Sequence, residues 1–168
     1  MPHPTQSFAT ARLDLLPLRA EHAEEMAGVL SDPALHTFIG GEPDSPRALR
    51  ARYERLVAGS PDPGGLWCNW VLREREAGCL VGTVQATVSD GTAEVAWVVG
   101  TPWQGQGYAV EAARALVRHV VRAFPVGTVV AHVHPGHHAS AAVAAAAGLT
   151  PTDELHDGEI RWELTVHP

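Results

Sequence analysis

The chain has 168 residues, of which 45% are apolar and 18% charged, with 16 glycines, 13 prolines and two cysteines. That length suits one domain, spanning 1–168, with its own core, and the composition excludes disordered, collagen-like and disulfide-scaffold classes. The formal charge is −7, from 19 acidic residues against 12 basic ones that are all arginine, so a nucleic-acid partner is not expected.

Met1 to Ser7 lacks a basic region followed by an apolar stretch, so no signal peptide is expected. No apolar run approaches the length of a membrane span, so no membrane partner is expected. Cys68 and Cys79 have no metal-type spacing and read as reduced strand or core residues. The expectation is a soluble cytoplasmic protein.

Partial alternation over 12–18 predicts a first strand, and apolar residues at helical spacing predict a helix over 21–30. Ser45-Pro46 supplies a cap and a first-turn proline for a second helix over 47–57. Segments 66–75 and 79–88 are strand-like, joined by the turn Glu76-Ala77-Gly78. After Ser89-Asp90-Gly91 comes a third strand of this meander, 93–99. Segment 107–124 is an amphipathic helix and 128–134 is β-rich. An alanine-rich helix over 138–147 ends at Gly148, a suitable C-cap. Alternation over 159–166 closes the chain as a strand. The fold class is therefore α+β with a mixed sheet, in which 93–134 forms a parallel strand–helix–strand crossover.

Gln104-Gly105-Gln106-Gly107-Tyr108-Ala109 lies between a predicted strand and a predicted helix. Glycines let backbone turn tightly and approach a ligand. The first turn of a helix offers unpaired N–H groups and partial positive charge. Together they can bind phosphate without a lysine. A P-loop is excluded, because it needs a lysine and the chain has none. The dinucleotide fingerprint fails because Val110 stands where its third glycine belongs. On this hexapeptide alone, a phosphate site and a plain glycine-rich turn both stand.

The wider segment from Ala93-Glu94-Val95-Ala96-Trp97-Val98-Val99 through Gly107-Tyr108-Ala109-Val110 resembles the core motif of the GNAT superfamily of N-acetyltransferases. In that motif a strand and short loop lead to Gln/Arg-x-x-Gly-x-Gly/Ala at the start of a helix. Gln104, Gly107 and Ala109 fill the three marked positions. The block from His134 through His137 and Ser140 to Gly148-Leu149 is similar to the family's later strand, Asn-x-x-Ser helix and Gly-Phe. The opening Thr10-Ala11-Arg12-Leu13 resembles the branch of ribosomal-protein N-terminal acetyltransferases.

The resemblance implies a mixed, mostly antiparallel sheet of about six to seven strands, splayed at the centre and flanked by about four helices. It implies acetyl-CoA as co-substrate and a small-molecule or peptide amine as acceptor. The backbone of Trp97, Val98 and Val99 would pair with the pantetheine arm, and the Val99 amide would serve the thioester carbonyl. Gln104 and the amides of Gly105, Gln106, Gly107, Tyr108, Ala109 and Val110 would hold the pyrophosphate. His137 replaces the family's asparagine beside the cofactor. The family's usual proton donor, a tyrosine, is replaced by Ala144, which leaves Ser140 to meet the leaving thiolate. Glu94 is the foremost candidate base, with His134 and His36 behind it. No metal is expected, since adjacent His137 and His138 point apart with no completing ligand. In the family the closing strand lies near partners, which leaves a homodimer open. The alternative to an enzyme is a catalytically silent acyl-CoA-binding module of the same fold.

Overall fold

The structure is a computed structural model that describes residues 5–167. Met1 to Pro4 of the stretch read for a signal peptide, and Pro168, lie outside the described residues. Eight strands form one sheet: β1 (Phe8–Ala9), β2 (Leu13–Pro17), β3 (Gly65–Glu74), β4 (Cys79–Ser89), β5 (Thr92–Val99), β6 (Thr128–Val133), β7 (Thr150–His156) and β8 (Glu159–Thr165). Their order in space is β1-β2-β3-β4-β5-β6-β8-β7. Every pairing is antiparallel except β5 with β6. The helices are α1 (His22–Val29), α2 (His36–Ile39), α3 (Pro46–Ala58), α4 (Tyr108–Ala123) and α5 (His138–Ala146).

The α+β class, the mixed sheet and the parallel crossover are as the sequence predicts, while strands and helices each number more than expected. β7 was not anticipated, because Thr150-Pro151-Thr152-Asp153-Glu154-Leu155-His156 is almost wholly exposed and has no apolar alternation. It is an edge strand held by β8, and a proline is tolerated there. The first predicted strand is β2, and the short β1 before it, which was not expected, joins it through a turn at Thr10, whose N–H bonds the Leu13 carbonyl at 2.8 Å. The four-residue α2 is too short for a period to show.

Residue alternation on β3 divides the core between the two faces of the sheet. Cys68, Trp70 and Leu72 join the larger core beneath α4 and α5, while Val71 joins the smaller core beneath α1 and α3. α4 earns its place there with Ala112, Leu116 and Val120, all fully buried on one stripe. α3 begins as predicted, with the Ser45 hydroxyl accepting from the Ala48 N–H at 3.1 Å and Pro46 at its first position. Both cysteines are free.

The junction of β5 and β6 positions the site. The two strands pair only from Thr92–Glu94 to Thr128–Val130 and then separate. β5 stays paired with β4 up to Val99, so one edge of its second half is open. Gly82 on β4 permits this arrangement, because a Cβ there would sit 2.1 Å from the Val98 carbonyl oxygen.

Candidate active site

Two cavities occupy the gap between the parted strands. The first, about 500 Å³, runs from Val98 and Val99 past Gln104, Gly105 and Gly107 to Val110, and is closed by Ala139, Ser140 and Val143 of α5. The second, about 480 Å³, has Thr83, Gln85, Glu94 and Ala96 on one side and His132, His134 and Glu159 on the other. They meet at Phe38, Trp97, Val98, His137 and Ser140, which line both.

Gly105 (φ +76°) and Gly107 (φ +83°) turn the chain in the left-handed region, where other residues are strained. Helix α4 then begins with no side-chain cap. Among the described residues, the amides of Gly105 through Val110 have no protein acceptor. Six consecutive N–H groups at the positive end of a sixteen-residue helix make an anion site from backbone alone. The Gln104 side chain donates to the Val99 carbonyl at 2.9 Å and so ties the turn to β5. Gln106 does not line the cavity; its carbonyl accepts from Arg12 at 2.8 Å.

Arg12 is the residue here that sequence reasoning passed over. Its guanidinium stacks over the Tyr108 ring at 4.2 Å and bonds the Glu111 carboxylate at 2.8 Å. The Arg12 N–H and the Thr10 hydroxyl also donate to Glu111. Burial pushes the Glu111 carboxyl up, but these donors and the Arg12 charge more than offset it and hold it below its usual value. The signal was present in Thr10-Ala11-Arg12-Leu13, yet nothing local says that this segment crosses to α4.

On the other cavity wall, Ser140 stands in the first turn of α5. Its hydroxyl has no hydrogen-bond partner among the described residues, so it does not cap the local backbone. His137 lies face to face with Phe38, centroids 4.2 Å apart. Burial, with His134 beside it, pulls the His137 ring below the usual histidine value. Ala144 is fully buried in the core and carries no proton donor.

Three candidate bases fare differently. His36 lines neither cavity; its ring nitrogens lie 3.2 Å from the Gly40 and Leu30 carbonyls. The Nδ1 of His134 accepts from the Gly136 N–H at 2.9 Å. A neutral imidazole has one lone pair, so this contact makes Nε2 of His134 a donor. Glu94 reaches across to β6, where its Oε1 lies 2.7 Å from Nδ1 of His132. His132 was not foreseen. Strand alternation puts it on the face of His134, but its meeting with Glu94 depends on the β5–β6 register. Trp67 stands outside both cavities, and Trp103 lines the first and packs against both cores.

A splayed parallel strand pair, an open strand edge and a helix start bearing free amides define the fold of an acyl-CoA-dependent transferase. The sequence profile of the acetyltransferase (GNAT) domain matches residues 12–150. The chain belongs to this family and is an acetyltransferase, acetyl-CoA-dependent as the family is. FsC-acetyl coenzyme A-N(2)-transacetylase of Aspergillus fumigatus is 27% identical over 175 residues, spanning 93% of this chain and 74% of its own. A GNAT-family acetyltransferase from Bacillus anthracis superposes with a TM-score of 0.80 at 16% identity, covering 95% of this chain and 98% of the other. The ribosomal L7/L12 alpha-N-protein acetyltransferase RimL, in complex with coenzyme A, gives 0.78 at 15% identity over 96% and 98%. Among the described residues no group of three or more His, Cys, Asp or Glu could hold a metal, and no helix is long and apolar enough to cross a membrane.

Proposed function

We propose that this chain, as one domain over 1–168, moves an acetyl group from acetyl-CoA to a primary amine by direct attack in a ternary complex. The observation that carries this reading is the junction of the two cavities. One is walled by unpaired amides and an open strand edge; the other bears a carboxylate and histidines; Val98 and Ser140 belong to both. In the first, the pyrophosphate rests on the amides of Gly105 to Val110, and the pantetheine arm adds to Trp97, Val98 and Val99 as a further strand. The Val99 amide polarises the thioester carbonyl. Tyr108 and Ala109 shape the turn, and His137 with Phe38 flanks the thioester end.

The amine enters the second cavity. Ser140 donates a hydrogen bond to the departing thiolate, Glu94 serves proton removal, and His134 donates to the acceptor from Nε2. The acceptor is a small-molecule or peptide amine. Glu94 and Glu159 in the wall, with the overall charge of −7, favour a cationic one. Two free thiols fit the reducing cytoplasm as its place of work. Release of free thiol from acetyl-CoA across a panel of amines tests the reading. Thiol release with at least one amine is expected. Tight coenzyme A binding with no release from any amine would leave a silent acyl-CoA-binding module instead.

A further inference from the structure

We infer that His132 is the general base that takes the proton from the acceptor's ammonium group, and that Glu94 is the positioning residue behind it. The inference rests on the acetyl-transfer reading and assigns a residue that neither the motif nor the family profile marks.

The observation is a pair of histidines two residues apart, His132 in β6 and His134 just past its end, whose second contacts are opposite in kind. A carboxylate can only accept, so the 2.7 Å contact between Glu94 Oε1 and His132 Nδ1 puts the ring proton on Nδ1. The lone pair is then on Nε2. That nitrogen has no protein partner among the described residues and is not closed off from solvent. His134 is the reverse: its Nδ1 lone pair is held by Gly136, and its Nε2 carries the proton. Both rings line the cavity opposite β5. The His132 side chain is 14% exposed and the Glu94 side chain 54%. The imidazole is thus the more enclosed of the pair, and the carboxylate has water on its far side. This is the geometry of a base oriented by an acid, reached from two strands that part immediately beyond it.

The chemistry balances. An ammonium R–NH3+ gives one proton to His132 Nε2 and becomes R–NH2. Its lone pair forms the C–N bond to the thioester carbonyl carbon, and the C–S bond breaks on collapse. Of the two protons left on nitrogen, one passes by way of Ser140 to the thiolate, giving the amide and the free thiol. The imidazolium then returns its proton to water.

The charged groups around His132 come from three strands. Glu94 faces it from β5. Arg161 is its cross-strand partner on β8 and is bound to Glu154 and Glu163. From β7 the His156 ring lies 4.9 Å away, with Asp157 beside it, and Glu159 shares the cavity wall. α5 packs on the opposite face of β6.

The test uses the full chain with acetyl-CoA and three acceptors: a peptide with a free N-terminal serine, spermidine and ethanolamine. With whichever releases thiol fastest, His132→Gln should lower kcat by about 10²–10⁴-fold while coenzyme A binding, measured by calorimetry, is retained. The acid limb of the pH–rate profile should vanish. Glu94→Gln can either accept from or donate to Nδ1, so it no longer fixes which ring nitrogen carries the proton. It should cost less than His132→Gln, and His132 should no longer be held as the single Nδ1–H form. Nitrogen NMR of histidine-labelled protein should show His132 protonated on Nδ1 and His134 on Nε2. A wild-type rate in His132→Gln, a larger loss in Glu94→Gln than in His132→Gln, or His132 protonated on Nε2 would each overturn the assignment. No thiol release from any of the three acceptors would count against the transfer reading itself, and the inference would fall with it.

Discussion

Ser140 stands where two cavities meet, and its hydroxyl has no hydrogen-bond partner among the described residues. A hydroxyl at a helix start normally satisfies nearby backbone. In the proposed reaction this one serves the leaving sulfur, and Ala144 offers no competitor. Ser140→Ala should therefore reduce turnover with coenzyme A affinity intact. An unchanged rate removes the hydroxyl from the reaction. Gly107 tests the other half of the site. Its φ of +83° disfavours any side chain by about 1–3 kcal/mol. A carboxylate there would also face the pyrophosphate among the amides that should receive it. Gly107→Glu should abolish coenzyme A binding in calorimetry, and Gly107→Ala should weaken it less. Retained affinity in the glutamate variant would place the pyrophosphate elsewhere. At this scale the backbone geometry of the turn was legible, because glycines and the helix start are local. Side-chain chemistry was less legible. Glu94 and His132 are 38 residues apart, and only the strand register brings them together. His134 is a candidate because it ends the strand, and alternation against the buried residues Val129, Ala131 and Val133 puts His132 on that same face.

Between elements, the decisive contact is the closeness of β4 to the end of β5. Gly82 lies opposite Val99, and a Cβ at Gly82 would meet backbone on three sides: the Val98 oxygen at 2.1 Å, the Val99 Cα at 3.0 Å and the Val98 carbon at 3.1 Å. Backbone atoms cannot swing away as a side-chain tip can, so the two strands must separate where β5 presents its open edge. Gly82→Ala should destabilise the protein by about 1–3 kcal/mol or more, as overpacking does. Thermal melts should show a loss of roughly 2–4 °C for each kcal/mol in a chain of this size. Acetyl-CoA binding should weaken with it. A variant with native melting temperature and native affinity would show that β4 and β5 are not so closely apposed. Elements with a strong apolar period were legible: the meander, α4 and β8 all fall within a residue or two of expectation. β7 was not, since an exposed edge strand has no buried face to impose alternation.

Across the whole molecule, the N-terminal segment reaches the glycine turn through polar contacts that add to the packing of Phe8 on His119 and of Leu13 and Leu15 in the core shared with α4. Thr10 and Arg12 lie at the junction of β1 and β2, Glu111 lies in the first turn of α4, and Arg12 also reaches the Gln106 carbonyl inside the turn. One carboxylate thus links the sheet's edge to the helix whose free amides form the anion site. The link has a pH window. The Glu111 carboxyl sits lower in the folded protein than its ordinary value of 4.5, the donors outweighing burial. Its contribution to stability is complete above that ordinary value and is lost as pH falls through the lower folded one. Below that point the neutral acid no longer pairs with the Arg12 charge, and the tether is left to the Gln106 carbonyl and the Tyr108 ring. Melting temperature should fall as pH drops below about 4.5, and Glu111→Gln should melt lower at neutral pH with a flatter acid dependence. Coenzyme A affinity should weaken in Glu111→Gln and in Arg12→Ala at neutral pH, because both release the same turn. Acid profiles that coincide for the wild-type and Glu111→Gln proteins would show that this carboxylate does not couple the N-terminal strands to the cofactor turn.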